Sequence, residues 1–185
     1  MTSHDRLRTR ILTPWRLLGW GAAAALLSLP AIGMQFSSEV HWTLSDFVIA
    51  GLLIGGTGLA LEVAVMMSST IAYRIAAGLA LGAALMMVWI NLAVGIIGNE
   101  DNPLNLVYAG ILAVGLIGAV LARLEPRGMA LAMIAMACCQ VLVGALSLYW
   151  APATALINLF FLAIWLLSAW LFNDAANAAD ATAHQ

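Results

Sequence analysis

The sequence predicts an all-α protein, an integral membrane bundle of six transmembrane helices. Of its 185 residues, 64% are hydrophobic and 9% are charged, and the mean hydropathy is +1.00. Soluble domains are about 45–50% apolar and about 25% charged, so the composition indicates that the solvent is a lipid bilayer. The chain also contains six apolar runs, each close to the roughly 20 residues that a membrane helix needs.

The six predicted spans and their short connections take up residues 1–172 and leave no room for a soluble domain. The spans cover about residues 17–34, 47–67, 75–97, 106–122, 129–148 and 154–172. The remaining residues, 173–185, are rich in alanine and contain Asp174 and Asp180. We expect them to form a disordered cytoplasmic tail.

Recognisable helix starts precede several spans. Thr43 and Asp46 have the spacing of a capping box before the second span. Asn102-Pro103 and Ala151-Pro152 place proline at the first helical position of the fourth and sixth spans, where no backbone donor is needed. Capping is thus one explanation for the polar stretch GNEDNPLN at residues 98–105.

The distribution of charge predicts the orientation. All seven basic residues fall on one side of the six spans: Arg6, Arg8, Arg10, Arg16, Arg74, Arg123 and Arg127. The other side carries no basic residue and contains Glu39, His41, Asp46, Glu100 and Asp101. The positive-inside rule makes the arginine side cytoplasmic, and both termini lie there.

A competing interpretation treats residues 1–33 as a cleaved signal peptide, with Ala31-Ile32-Gly33 as the cleavage site. The apolar run is longer than the usual core of such a peptide, so we expect a retained first span.

Aromatic residues near the predicted ends agree with six spans. They are Trp15, Tyr73 and Trp170 at the inner interface, and Trp42, Tyr108, Tyr149 and Trp150 at the outer one. The sixth span is bulky, with Phe160, Phe161, Trp165 and Trp170. We expect it to face lipid or a partner.

Two pairs of short segments resemble each other and suggest an internal repeat. Residues 47–53 resemble 106–112, and residues 91–95 resemble 140–144. Spans two and three would then be a parallel repeat of the hairpin formed by spans four and five; chance similarity of apolar sequence is the alternative. Four small-residue pairs predict close helix packing: Gly51-x-x-x-Gly55, Gly78-x-x-x-Gly82, Gly115-x-x-x-Ala119 and Gly118-x-x-x-Ala122.

Polar side chains inside spans are candidates for function, because they are expensive in hydrocarbon. They are Glu62, Asn91, Gln140 and Asn158. Glu62 either forms an ion pair, with Arg74 as the nearest candidate, or binds a proton or cation. The three amides either bond between helices or line a polar cavity.

A set of polar residues lies above those amides in the predicted topology and suggests an outer vestibule. Its members are His41, Asp46, Glu100, Asp101 and Asn102. If the helices below face inward together, this acidic mouth would attract cations or a small polar solute.

Other chemistries have little support in the sequence, and we expect no enzyme, cofactor or metal site. The run Met129, Met133, Met136, Cys138 and Cys139 contains soft ligands, but methionine commonly fills apolar gaps. No histidine lies within a span to hold haem. No catalytic triad or zinc motif appears, and the arginines are too sparse for nucleic acid.

The segment NLAVGIIGNEDNPLNLVYAGILAVGLIGA, residues 91–119, together with HWTLSDFVIAG, residues 41–51, resembles a group of small multi-spanning bacterial inner-membrane proteins of unassigned role. These proteins carry a VGIIGxEDNPxN-like segment. The resemblance implies the same multi-pass topology in a bacterial inner membrane, and it implies no activity, cofactor or site residue.

Two functional classes follow from these observations. The first is a non-catalytic accessory, assembly or regulatory subunit for a membrane partner, which the short loops favour. The second is a small permease or channel for a cation or polar solute, which the vestibule, Glu62 and the repeat favour. A permease of six helices would need a homo-oligomer.

Overall fold

The computed structural model describes residues 14–36, 41–68 and 70–183. Throughout these ranges the regular secondary structure is helical, and no strand occurs. The helices are α1 Pro14–Phe36, α2 Leu44–Met67, α3 Ile71–Ala93, α4 Leu106–Leu121, α5 Pro126–Trp150 and α6 Ala155–Ala183. Single 3-10 turns, Pro103–Asn105 and Pro152–Thr154, lead into α4 and α6. In the described part of the chain, six helices are long and apolar enough to cross a membrane, so the predicted fold class is confirmed.

The last helix is longer than the sequence indicated. Residues 173–183 were predicted to be part of a disordered tail, but they continue α6 to Ala183; residues 184–185 lie outside the described part of the chain. Alanine has the highest intrinsic helix propensity, and Ala175 and Ala176 are buried. Asp180 forms an ion pair with Arg127. Packing of these small side chains therefore orders a segment whose composition alone suggested disorder.

The chain divides into two compact units, residues 1–60 and residues 61–185. In the first unit, Trp20 lies over Gly58, with a ring carbon 3.3 Å from the position of an added Cβ. The predicted capping box is confirmed, because Asp46 Oδ2 accepts from Thr43 N at 2.7 Å and from Thr43 Oγ1 at 2.8 Å.

The core of the second unit is centred on α6. Phe161, Trp165 and Phe172 recur at intervals of four and seven, which places them on one helix face, and each is fully buried. This helix packs mainly against α5 and α3. The prediction that the sixth span faces lipid or a partner is wrong for this face, although Trp170 on another face is 64% exposed. The sequence showed that α6 carries many bulky side chains, but it did not show that some of them lie on a buried face and others on an exposed face.

The close packing predicted for small residues is confirmed for the glycines of α4, but not for Gly55, Gly78 and Gly82, where no described atom lies within 4 Å of an added Cβ. A Cβ added to Gly115 would lie 2.4 Å from Met136 Sδ, and one added to Gly118 would lie 2.6 Å from Ala132 Cβ. Only hydrogen side chains let α4 and α5 approach this closely.

Two tyrosines predicted as interfacial anchors are buried instead. Tyr73 and Tyr108 are each 1% exposed. Tyr73 donates through its hydroxyl to Leu124 O at 2.7 Å, and Tyr108 donates to Asn158 Oδ1. Each hydroxyl finds a protein acceptor, so neither ring needs the membrane surface to satisfy its polar end.

The ends of the second unit differ in charge. The bond from Tyr73 to Leu124 brings the start of α3, with Arg74, beside the α4–α5 connection, which carries Arg123 and leads into the first turn of α5 with Arg127. The α3–α4 connection at the opposite end carries Glu100 and Asp101. Within this unit the separation of charge agrees with the predicted alternation of sides.

Candidate functional site

Gln140 and Asn158, two of the predicted intramembrane polar residues, bond directly to each other. Gln140 Nε2 donates to Asn158 Oδ1 at 2.7 Å, which joins α5 to α6. Their side chains belong to residues only 1% and 5% exposed. This pair therefore bridges two helices in the interior.

Aromatic donors complete this bridge. Tyr108 of α4 donates its hydroxyl to Asn158 Oδ1 at 3.3 Å, and Trp165 donates Nε1 to Gln140 Oε1 at 3.2 Å. The sequence analysis did not predict that Tyr108 or Trp165 would bond to these amides. The sequence did indicate such bonds, because a buried tyrosine or tryptophan usually finds a hydrogen-bond partner. Gln140 and Asn158 are among the few polar groups in their helices that could provide one.

The amide nitrogen of Asn158 bonds to hydroxyl groups and to one backbone carbonyl. Its Nδ2 donates to Ser147 Oγ at 3.1 Å and to Thr154 O at 3.1 Å. Ser147 and Thr154 are buried as well, and the sequence analysis missed both. Gln140, Asn158, Tyr108, Trp165, Ser147 and Thr154 form what we call the amide network. It joins α4, α5 and α6 as a closed set, so the interpretation of interhelical bonding holds for Gln140 and Asn158.

A cavity of about 390 Å³ lies between α3 and α4 beneath their connection. We call it the α3–α4 pocket. Its lining residues are Met87, Val88, Asn91, Leu92, Glu100, Asp101, Asn102, Pro103, Asn105, Leu106, Tyr108, Ala109 and Leu112. The volume lies within the range of small-molecule sites, which are mainly apolar with a few polar groups.

The connection above the pocket is held by Asn105, which the sequence analysis did not single out. Its Oδ1 accepts from Ile96 N at 3.0 Å and from Ile97 N at 2.8 Å, and its Nδ2 donates to Asn99 O at 2.7 Å. Gly95 has a φ of +70°, and an added Cβ would lie 2.2 Å from Asn99 O. One buried amide and one glycine thus fix the roof of the pocket.

Asn91 brings an unused acceptor to the pocket. Its Nδ2 donates to Met87 O at 2.8 Å, and because a carbonyl can only accept, this bond fixes the orientation of the amide. Its Oδ1 is buried and has no hydrogen-bond partner. Leaving such a group unpaired costs about 1–3 kcal/mol, so Asn91 is the lining residue whose hydrogen bonding is incomplete.

The predicted outer vestibule is only partly assembled around this pocket. Glu100, Asp101 and Asn102 line it together with Asn91, as the sequence predicted. Asn102 also caps the turn that follows, since its Oδ1 accepts from Leu104 N at 3.0 Å. Capping therefore explains Asn102, and a binding role for Glu100 and Asp101 stays a prediction.

Gln140 and Asn158 do not line the pocket, contrary to the vestibule prediction. Tyr108 lies between the two polar features, because its side chain lines the pocket and also donates to Asn158. The amides of α5 and α6 are buried on the far side of that ring. Asn91, the proposed counterpart of Gln140 in the repeat, bonds within its own helix, so the repeat stays a hypothesis.

His41 and Asp46 belong to the first unit. Asp46 belongs to the capping box of α2, in which its carboxylate accepts from Thr43 N, and His41 is exposed. Their membership in a vestibule stays a prediction.

Glu62 is half-buried in α2 and does not line the pocket. Its suggested partner Arg74 donates from Nε to Ser68 O at 3.1 Å and from Nη2 to Val65 O at 3.4 Å. Arg74 therefore donates hydrogen bonds to backbone carbonyls at the end of α2, where a positive charge is favourable. Neither of these bonds involves Glu62, and the Glu62–Arg74 ion pair stays a prediction.

Soft-metal ligands are dispersed in the structure. Met133 and Met136 are part of the core, whereas Cys138 is exposed. Over the described ranges, no group of three or more His, Cys, Asp or Glu residues is placed to hold a metal ion.

Comparison with known proteins gave no match to protein-family models, to curated proteins or to solved structures. Functional inference therefore depends on the geometry of the second unit.

Proposed function

We propose that the chain is a non-catalytic, multi-pass protein of the bacterial inner membrane that acts as an accessory, assembly or regulatory subunit for a membrane partner. The observation that carries the proposal is the closure of the amide network. Its members bond to one another and to nearby backbone carbonyls, and among the described residues of α5 and α6 only Ser168 Oγ is a buried polar side-chain atom without a partner. A solute would therefore find no row of free groups to follow.

The interior below the network also supports this proposal. Phe161, Phe172 and Met136 are at most 3% exposed, and all three belong to the apolar core of the second unit. A conducting pathway needs polar groups that bind a solute and release it again. Packed aromatic rings supply none.

The inner-membrane part of the proposal rests on charge. Arginines confined to one predicted side, with no basic residue on the other, match the bias that membrane insertion imposes in bacteria. The apolar helix surfaces are suited to lipid and to a neighbouring membrane protein.

The test is gentle extraction into lipid nanodiscs followed by quantitative mass spectrometry. We expect one companion protein at a fixed ratio, and we expect its amount or activity to fall when this chain is deleted and to recover on re-expression. A chain that purifies alone from its native membrane, with no companion affected by deletion, would contradict the proposal.

A permease or channel is the second candidate, and the α3–α4 pocket is the observation that favours it. Stepwise cysteine labelling from Asp101 through Asn91 and Val88 to Ala80, after replacement of Cys138 and Cys139 by serine, separates the two functions. Labelling that stops at Val88 agrees with a closed pocket. Labelling that reaches Ala80 favours conduction and contradicts the accessory role.

A further inference from the structure

We propose that the α3–α4 pocket binds an amphiphilic organic cation, a primary ammonium or guanidinium group carried on a short apolar body. This inference goes beyond the accessory role, because it depends only on the pocket and holds whether the bound molecule regulates the protein or is transported by it.

The charge at the pocket is of one sign. Glu100 and Asp101 lie at its loop end, and none of the described residues that line it is basic. Their carboxylates are exposed and form no ion pair with the described residues around them. The pocket therefore attracts a cation and repels an anion.

Three polar side chains at the pocket supply acceptors without a partner, whereas Asn102, whose Oδ1 caps the following turn, keeps an Nδ2 donor. An ionised carboxylate can only accept, which covers both acids, and Asn91 contributes the buried Oδ1 that has no donor. Asn105 cannot contribute an acceptor, because its Oδ1 already receives two backbone donors. A matching ligand must bring N–H donors as well as positive charge, which favours a primary ammonium or a guanidinium over a quaternary amine.

The rest of the pocket is apolar, and it defines the body of the ligand. Met87, Val88 and Leu112 lie away from the acids, and Leu92 and Leu106 form apolar sides. The stretch of α4 from Leu106 to Leu112 rises by six residues, or about 9 Å at 1.5 Å per residue. A bare metal ion would leave this surface unused, whereas a short alkyl or aryl group would cover it.

The test is calorimetric titration of the whole protein in phosphatidylcholine nanodiscs with octylammonium and with octanoate, after subtraction of empty nanodiscs. We expect saturable binding of octylammonium, weakened by added salt, and no saturable binding of octanoate. No saturable binding of octylammonium, or equal binding of both probes, would overturn the proposal.

Two variants assign the binding to this pocket. Glu100→Gln with Asp101→Asn should weaken octylammonium binding at least tenfold, and Ala109→Trp, at an exposed lining residue, should abolish it by filling the cavity. The matched control, Glu125→Gln with Asp174→Asn, removes the same charge from exposed positions outside the pocket and should leave binding unchanged. Unchanged binding in both pocket variants, or an equal loss in the control, overturns the assignment. Melting temperatures close to that of the unmodified protein verify that all of them fold.

A final arm distinguishes a soluble amine from a lipid head group. Nanodiscs that contain phosphatidylethanolamine present the same primary ammonium from within the bilayer. Competition with octylammonium identifies the lipid as the source, and undiminished octylammonium binding identifies a soluble amine; either result retains the site.

Discussion

Asn158 is the residue on which the amide network depends. Its Oδ1 accepts from Gln140 and Tyr108, and its Nδ2 donates to Ser147 Oγ. Single interhelical hydrogen bonds in membranes contribute only about 0.6 kcal/mol on average. The loss of this side chain is more serious, because several buried groups would lose their partners at once.

We predict that Asn158→Ala lowers the free energy of unfolding by about 1–3 kcal/mol, measured by denaturant titration in detergent micelles. The matched control is Asn173→Ala, which removes the same side chain from an exposed position of the same helix and should change stability by less than about 0.5 kcal/mol. Equal effects at both positions would show that the network contributes no stability.

The side chain of Asn105, in the 3-10 turn that leads into α4, orders the connection between α3 and α4. Asn105 is 9% exposed and holds the amides of Ile96 and Ile97. Without these bonds, the roof of the α3–α4 pocket would keep few internal contacts, and local opening would become easier.

Asn105→Ala should therefore raise the hydrogen-exchange rates of the Ile96 and Ile97 amides by at least tenfold, as measured by mass spectrometry on the reconstituted protein. Asn99→Ala is the control, because Asn99 contributes its backbone carbonyl to the Asn105 bond and alanine keeps that carbonyl. Exchange that is equally fast in both variants would contradict the role of Asn105.

The contact between α4 and α5 depends on the absence of side-chain volume. Gly118→Leu should lower stability by about 1–3 kcal/mol through overpacking against Ala132. Gly110→Leu on the same helix should be tolerated, because nothing lies within 4 Å of its added Cβ. Thermal melting of the two variants tests this, and a Gly118→Leu protein as stable as the Gly110→Leu protein would rule out the close approach.

At the scale of the whole molecule, charge sets the orientation that we propose. The arginines of the second unit gather at the end opposite Glu100 and Asp101. Moving arginines across a bilayer is costly, so the end that carries them should stay in the cytoplasm.

We expect Asp101→Cys to react with a membrane-impermeant maleimide in intact cells and Asp174→Cys to react only after permeabilisation, both with Cys138 and Cys139 replaced by serine. Both aspartates are exposed, so the accessibility of the side chain is matched. The reverse pattern would invert the proposed topology and place the pocket in the cytoplasm.

Sequence reasoning predicted the site unevenly, for physical reasons that can be named. It found Glu100, Asp101 and Asn91 because charge and polarity stand out in an apolar chain. It missed Asn105 and Tyr108, whose importance comes from partners that are many residues away or across a helix boundary. It also predicted one vestibule where Tyr108 separates a pocket from a closed network.

The sequence by itself determined the solvent, the six apolar helices and the separation of charge, because each depends on composition and on the order of residues along the chain. Tertiary structure decided that Gln140 and Asn158 bond to each other between helices and that Asn91 Oδ1 stays without a donor. That outcome depends on the rotation of each helix about its axis. A rotation is fixed by close packing at residues such as Gly118 and Trp165, and the order of residues does not reveal it.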